Sequence, residues 1–166
     1  MSSLVVIAHD MRSTHNVGSL FRTMDGLGVK KIYLTGYTAY PAIVNDSRLP
    51  YIAAKLDAQI HKTALGAEKY VKWEHNGSLE ETITKLKDNG YTMVALEQDT
   101  RSVSLEKYVP LQSKIALLLG TETTGLTKEQ LALCDEIIEI PMHGTKESFN
   151  VVQAAAIAVY VLSQKL

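Results

Sequence analysis

Short runs of β-branched and aliphatic residues recur along this chain, each separated from the next by a stretch of helical character. Val5-Val6-Ile7-Ala8, Ile32-Tyr33-Leu34, Thr92-Met93-Val94-Ala95-Leu96, Ile115 to Leu119 and Ile137-Ile138-Glu139-Ile140 read as strands. Helical stretches fall near 16–27, 51–57, 78–89, 127–133 and 148–164. Such alternation restricts the chain to an α/β fold with a mainly parallel sheet flanked by helices. Several runs are apolar throughout, as strands are when helices cover both sheet faces. In open sheets of this kind, ligands sit where strands end in loops. Two such transitions lie close together near the C-terminus, at Leu119-Gly120 and at Ile140-Pro141.

Val17, Leu20, Phe21, Met24 and Leu27 form one apolar helical stripe, and Gly28 follows as a stop. Ser19, Arg22, Thr23 and Gly26 fall on a small, polar face of the same helix. The final helix, Val151 to Leu162, is apolar nearly all round. A helix without a polar face needs cover on more than one side, from the core or from a second subunit. At twelve residues that run is too short to span a bilayer. The stretch from Gly36 to Pro50 reads as a loop carrying Tyr37, Tyr40, Asn45 and Arg48. Aromatics and an arginine there suit base stacking and phosphate contact, or a connection whose tyrosines pack on the core.

The 166 residues suit one domain with a sizeable core. Met1-Ser2-Ser3-Leu4 has no basic segment and reads as no signal peptide. A single Cys134 excludes an internal disulfide and points to a reducing, cytoplasmic setting. Net charge is −1, divided into +3 over residues 1–75 and −4 over residues 76–166. A basic half can bind phosphate locally, although an ordinary solvated surface gives the same asymmetry.

Familiar nucleotide and hydrolase signatures are missing. Gly120-Thr-Glu-Thr-Thr-Gly125 is followed by Leu126-Thr127, so the lysine of a P-loop is absent. The first strand runs into His9-Asp10-Met11-Arg12 rather than a dinucleotide-binding glycine turn. The five histidines make no metal-ligand spacing, so no metal is expected. Asp135-Glu136 beside Cys134 disfavours a thiolate, and no Gly-x-Ser-x-Gly elbow occurs. What remains is a set of polar residues beside glycines: Asn16, Arg22, Glu122, Ser148 and Asn150. Singly, Asn16 could cap a helix, as could Ser148 or Asn150, and Glu122 could be solvated.

Together they match a pattern. Asn16-Val17-Gly18-Ser19-Leu20-Phe21-Arg22-Thr23 is one motif; Leu119-Gly120-Thr121-Glu122 with Gly125-Leu126 is a second. Ile140-Pro141-Met142 with Ser148-Phe149-Asn150-Val151 is a third. In this order the three resemble the SpoU (TrmH) family of RNA 2′-O-ribose methyltransferases, within the SPOUT class. The resemblance covers essentially the whole chain. It departs at Thr121, where Asn or Ala is common, and at Phe149 and Val152, where the family has Leu and Ser.

The resemblance implies an α/β fold with a C-terminal trefoil knot and a homodimer built from helices 16–27 and 148–164. It implies S-adenosyl-L-methionine as cofactor, held by main chain at Gly120, Ile140 and Phe149, with Leu96 and Met142 lining the adenine slot. It makes Arg22 the catalytic residue, with Asn16, Asn150 and Glu122 positioning it and the ribose. Arg22 would act as a transient base or clamp the adjacent phosphate, across the dimer. The expected partner is tRNA or rRNA, met through Arg12, Lys30, Lys31, Arg48, Ser148 and the 36–50 loop. A knotted RNA-binding or assembly protein without catalysis is the alternative.

Overall fold

In the computed structural model, residues 3–166 are described. Met1 and Ser2, part of the N-terminal reading above, lie outside the described residues. The strands are β1 (Ser3–His9), β2 (Ile32–Thr35), β3 (Trp73–Asn76), β4 (Thr92–Leu96), β5 (Val103–Ser104), β6 (Lys114–Leu119) and β7 (Glu136–Glu139). The helices are α1 (Thr14–Gly26), α2 (Pro50–Ala64), α3 (Leu79–Asp88), α4 (Lys128–Ala132) and α5 (Val151–Lys165). A short 3-10 turn spans Ala67–Lys69. All seven strands join one sheet in the order β3-β2-β1-β6-β4-β7-β5, and every pairing is parallel.

Alternation along β1 divides the core. Leu4, Val6 and Ala8 pack on one face with Leu20, Phe21 and Met24 of α1 and Ala155, Val159 and Leu162 of α5. Val5 and Ile7 pack on the other with Ile83 and Leu86 of α3 and Leu131 of α4. Both faces are therefore covered, which is why β1 and β6 are continuously apolar.

The strand order reverses at the centre of the sheet. From β1 the chain steps outward through β2 to β3, crosses through α3 to β4, and later inserts β6 between β1 and β4. The C-terminal ends of β1 and β6 thus lie side by side at a switch point, where a ligand crevice opens.

Two strands were not legible in the sequence, β3 and β5, and α2 is far longer than the 51–57 stretch. Ser13 caps α1, its hydroxyl accepting the Asn16 N–H, so Asn16 is not the cap. Asn150 does cap α5, its Oδ1 accepting the Val152 N–H at 2.9 Å. At the other end of α5, the Lys165 ammonium donates to the carbonyls of Leu105, Glu106 and Tyr108. No helix among the described residues is long and apolar enough to cross a membrane.

Candidate functional site

A cleft of about 250 Å³ opens where β4 and β6 end and the chain leaves β7. Leu96, Gly120, Ile140, Ser148 and Phe149 line it, and Met142 is not on its wall. Its charge is one-sided. Glu97, Glu122, Glu139 and Glu147 line it, and no Lys, Arg or His does. Such a wall repels phosphates and suits a ligand carrying positive charge.

Backbone packing forms the cleft's rim. A Cβ on Gly120 would stand 2.6 Å from the Gly125 carbonyl carbon, so only glycine allows the loop to fold back here. Thr121 and Gly125 exchange backbone hydrogen bonds, and the Thr121 hydroxyl accepts the Thr124 N–H at 3.1 Å. Threonine at 121 therefore closes the turn locally, which gives that departure from the family pattern a structural task.

Sequence reasoning missed Glu97 and Gln98. The Glu97 carboxylate accepts the Leu126 N–H at 2.8 Å and the Gln98 N–H at 2.9 Å. The Gln98 amide donates to the Glu147 carbonyl at 2.8 Å. These neighbouring side chains tie the loop after β6 and the loop before α5 to the end of β4. A lone acid after a strand carries no sequence signal of that role.

Three of the four expected catalytic residues meet beside the cleft. The Asn16 side-chain amide donates to Glu122 Oε1 at 3.1 Å. The Asn150 amide donates to Asn16 Oδ1 at 3.3 Å. Glu122 also accepts the backbone N–H of Ser13 at 3.1 Å and, more weakly, that of Arg12 at 3.4 Å. Burial acts to raise the Glu122 carboxyl. Its own N–H, the Asn16 amide and the Ser13 and Arg12 N–H groups outweigh this and hold it below the usual carboxylate value. The bonds define both amide orientations, and each amide keeps one further N–H to offer.

Arg22 is not with them. It lies about 9 Å further along α1 and on another face of the helix. It lines a groove with Thr23 and Gly26 of α1, Lys62 of α2, and Ile157 and Tyr160 of α5. Arg48 is committed to its own loop, donating to Asp46 and to the carbonyls of Tyr40 and Pro41, and stacking 3.5 Å over Tyr40. Tyr40 in turn stacks on His75 at 4.0 Å, so the 36–50 loop packs its own aromatics inward in part. Lys31 pairs with Glu74. The Arg12 side chain is exposed at the mouth of the site, its backbone held by Glu122. Burial, then Asp135, pushes the Cys134 thiol up to about 11, which suits no nucleophile.

The model of the SpoU rRNA Methylase family matches residues 3–160. This chain belongs to the SpoU rRNA Methylase family. SpoU relatives include the tRNA (guanosine(18)-2'-O)-methyltransferase of Borreliella burgdorferi, 26% identical over 98% of this chain and 67% of the relative. The enzyme of the same description from Thermus thermophilus is 30% identical over 95% of this chain and 72% of the relative. Among solved structures, the SpoU methyltransferase AviRb from Streptomyces viridochromogenes, in complex with AdoMet, superposes with a TM-score of 0.80. It is 22% identical over 98% of this chain and 57% of its own, a likeness of fold. Each of these proteins is longer than the part this SpoU chain matches.

Proposed function

We propose that this chain is a S-adenosylmethionine-dependent methyltransferase acting on a ribose 2′-hydroxyl of tRNA or rRNA. The acidic, cation-free cleft carries the reading. S-adenosylmethionine has a sulfonium and an ammonium against one carboxylate, so four glutamates complement it where a phosphate-bearing cofactor would be repelled. Leu96, Leu119, Ile140 and Phe149 supply apolar walls, and Gly120 keeps the rim backbone bare of side chain. Family membership and relatives described as tRNA methyltransferases support the reaction class.

Bound there, S-adenosylmethionine supplies an electrophilic methyl group. The protein must then hold the ribose in line and take its hydroxyl proton away. The free amide N–H groups of Asn16 and Asn150 are placed to hold the ribose oxygens. Glu122 keeps Asn16 in position. A guanidinium is a poor base but a good clamp, so Arg22 grips the phosphate beside the reacting ribose, and that phosphate accepts the proton.

A homodimer belongs to this reading. Arg22 faces away from the Asn16–Glu122–Asn150 group of its own subunit, and its groove has apolar walls from Leu27, Ile157, Tyr160 and Val161. A second copy over this face covers the apolar side of α5 and brings Arg22 to the partner's cleft. The knot, a single catalytic domain and a cytoplasmic location complete the reading. Lys165, stapling the end of α5 to the segment after β5, supports a threaded C-terminus.

Calorimetry with S-adenosylmethionine, followed by nucleoside analysis of unmodified tRNA and rRNA treated with protein and cofactor, tests the assignment. Cofactor binding and new 2′-O-methylnucleosides are expected. No binding and no methylation would favour the catalytically silent alternative.

A further inference from the structure

The acidic cleft offers RNA phosphates no counter-charge, so the cations that hold the substrate lie elsewhere. Many of the described cations are committed. Lys85 binds Glu74, Lys87 binds Asp135, Arg101 binds Asp99, and Lys165 binds carbonyls. Helix α2 differs. Its buried face is Ala53, Ile60 and Ala64. Opposite them Tyr51, Lys55, Ala58 and Lys62 follow one another at i, i+4, i+7 and i+11, all exposed. Lys55 and Lys62 have no carboxylate partner among the described residues. The two acids of this segment are used elsewhere: Asp57 accepts the Ala42 N–H at 2.9 Å, and Glu68, whose side chain is 6% exposed, binds His61. The strip is about 17 Å long.

One end of the strip reaches Arg22. A Cβ on Gly18 would stand 2.2 Å from the Ile60 carbonyl and the Thr63 hydroxyl, so glycine lets α1 and α2 cross in backbone contact. Thr63 seals the crossing by donating to the His15 carbonyl at 2.9 Å. Lys62, beside Thr63, and Arg22, one turn beyond Gly18, consequently line the same groove. At the far end stands Tyr51, 70% exposed.

We propose that the exposed face of α2 is an RNA-binding strip, on which Lys62 and Lys55 take phosphates flanking the one held by Arg22 and Tyr51 stacks on a base. This rests on the methyltransferase reading above. A second copy of the chain fits the strip poorly. A twofold contact sets a patch against itself, and this patch has lysines and no acid to answer them. The apolar side of the groove, from α1 and α5, suits that copy instead. Lysines spaced along a helix with an exposed ring suit a polyanion with stacking bases.

The test is a double variant, Lys55→Ala with Lys62→Ala, in the full chain. Affinity for unmodified tRNA is measured across salt, cofactor affinity by calorimetry, and oligomeric state by sedimentation. Cofactor affinity and oligomeric state should stay as in the wild type. The slope of log K against log salt should become shallower by roughly 1.4–1.8, for two phosphates released. Tyr51→Leu should weaken RNA binding roughly tenfold with the slope unchanged. A control pair, Lys107→Ala with Lys128→Ala, removes the same charge elsewhere and should bind as the wild type. Wild-type affinity and slope in the double variant, or an equal loss in the control pair, would overturn the strip while leaving the methyltransferase reading intact. A shifted oligomeric state would assign the strip to an interface between copies and overturn it too. Absence of RNA binding by the wild type would overturn both.

Discussion

Asn150 and Asn16, 134 positions apart in the chain, are joined by a hydrogen bond of 3.3 Å from one side-chain amide to the other. Asn150 thereby does two jobs, since its Oδ1 caps α5 through the Val152 N–H. Asn150→Asp separates them. The carboxylate still accepts the Val152 N–H but has nothing to donate to Asn16. Thermal stability close to wild type, with methyl transfer at least about tenfold slower, is expected. Asn150→Ala should add a loss of about 1 kcal/mol for the missing cap. Wild-type turnover by Asn150→Asp in a methylation assay would remove the amide pair from the site.

If Arg22 serves the cleft of the partner subunit, two inactive variants should complement. Arg22→Ala keeps a normal cleft; Gly120→Val blocks the cleft but keeps Arg22. Mixed and allowed to exchange, they should recover roughly a quarter of wild-type activity, because half the dimers are mixed and each holds one complete site. Activity that stays at the level of the separate variants would place Arg22 within its own subunit's reaction.

Glu97 holds the loop after β6 against the cleft through the Leu126 N–H. Glu97→Ala should weaken cofactor binding about tenfold to a hundredfold, as loss of a charged hydrogen bond does, with a smaller change in kcat at saturating cofactor. Glu97→Gln keeps an acceptor for that N–H and should recover much of the affinity. Calorimetry on the two variants decides, and equal losses would show that charge rather than loop anchoring is what matters.

The Glu122 carboxyl lies below its ordinary value of 4.5 in the folded chain. Its charged form therefore contributes stability above that ordinary value, and the contribution is lost as pH falls through the lower folded one. Glu122→Gln removes this dependence. Denaturant unfolding should give a constant difference between wild type and variant from about pH 6 to 8, narrowing below about pH 4.5. A difference that persists undiminished in acid would mean that Glu122 does not contribute through its charge.

The legible strands were the buried ones. β1, β2, β4, β6 and β7 carry apolar residues on one or both faces, and their runs stand out without any partner. β3, Trp73-Glu74-His75-Asn76, is a half-buried edge that becomes a strand by pairing with β2. β5 has two residues and depends wholly on β7. Helix α2 runs on to Ala64 because Ala53, Ile60 and Ala64 are buried, and Gly18 of α1 lets the helix lie close. A face that narrow leaves little periodic signal, and its lysines obscured the rest.

By itself the sequence determined the α/β class and the chemical identities of Asn16, Arg22, Glu122 and Asn150. Local propensity and side-chain chemistry suffice for these. Only the tertiary structure decided that Asn16, Glu122 and Asn150 share one network while Arg22 faces a groove with Lys62. That outcome depends on strand order at the centre of the sheet and on the rotation of α1 against α2 at Gly18. Contacts between residues more than a hundred positions apart follow from how elements pack, and no local pattern encodes them.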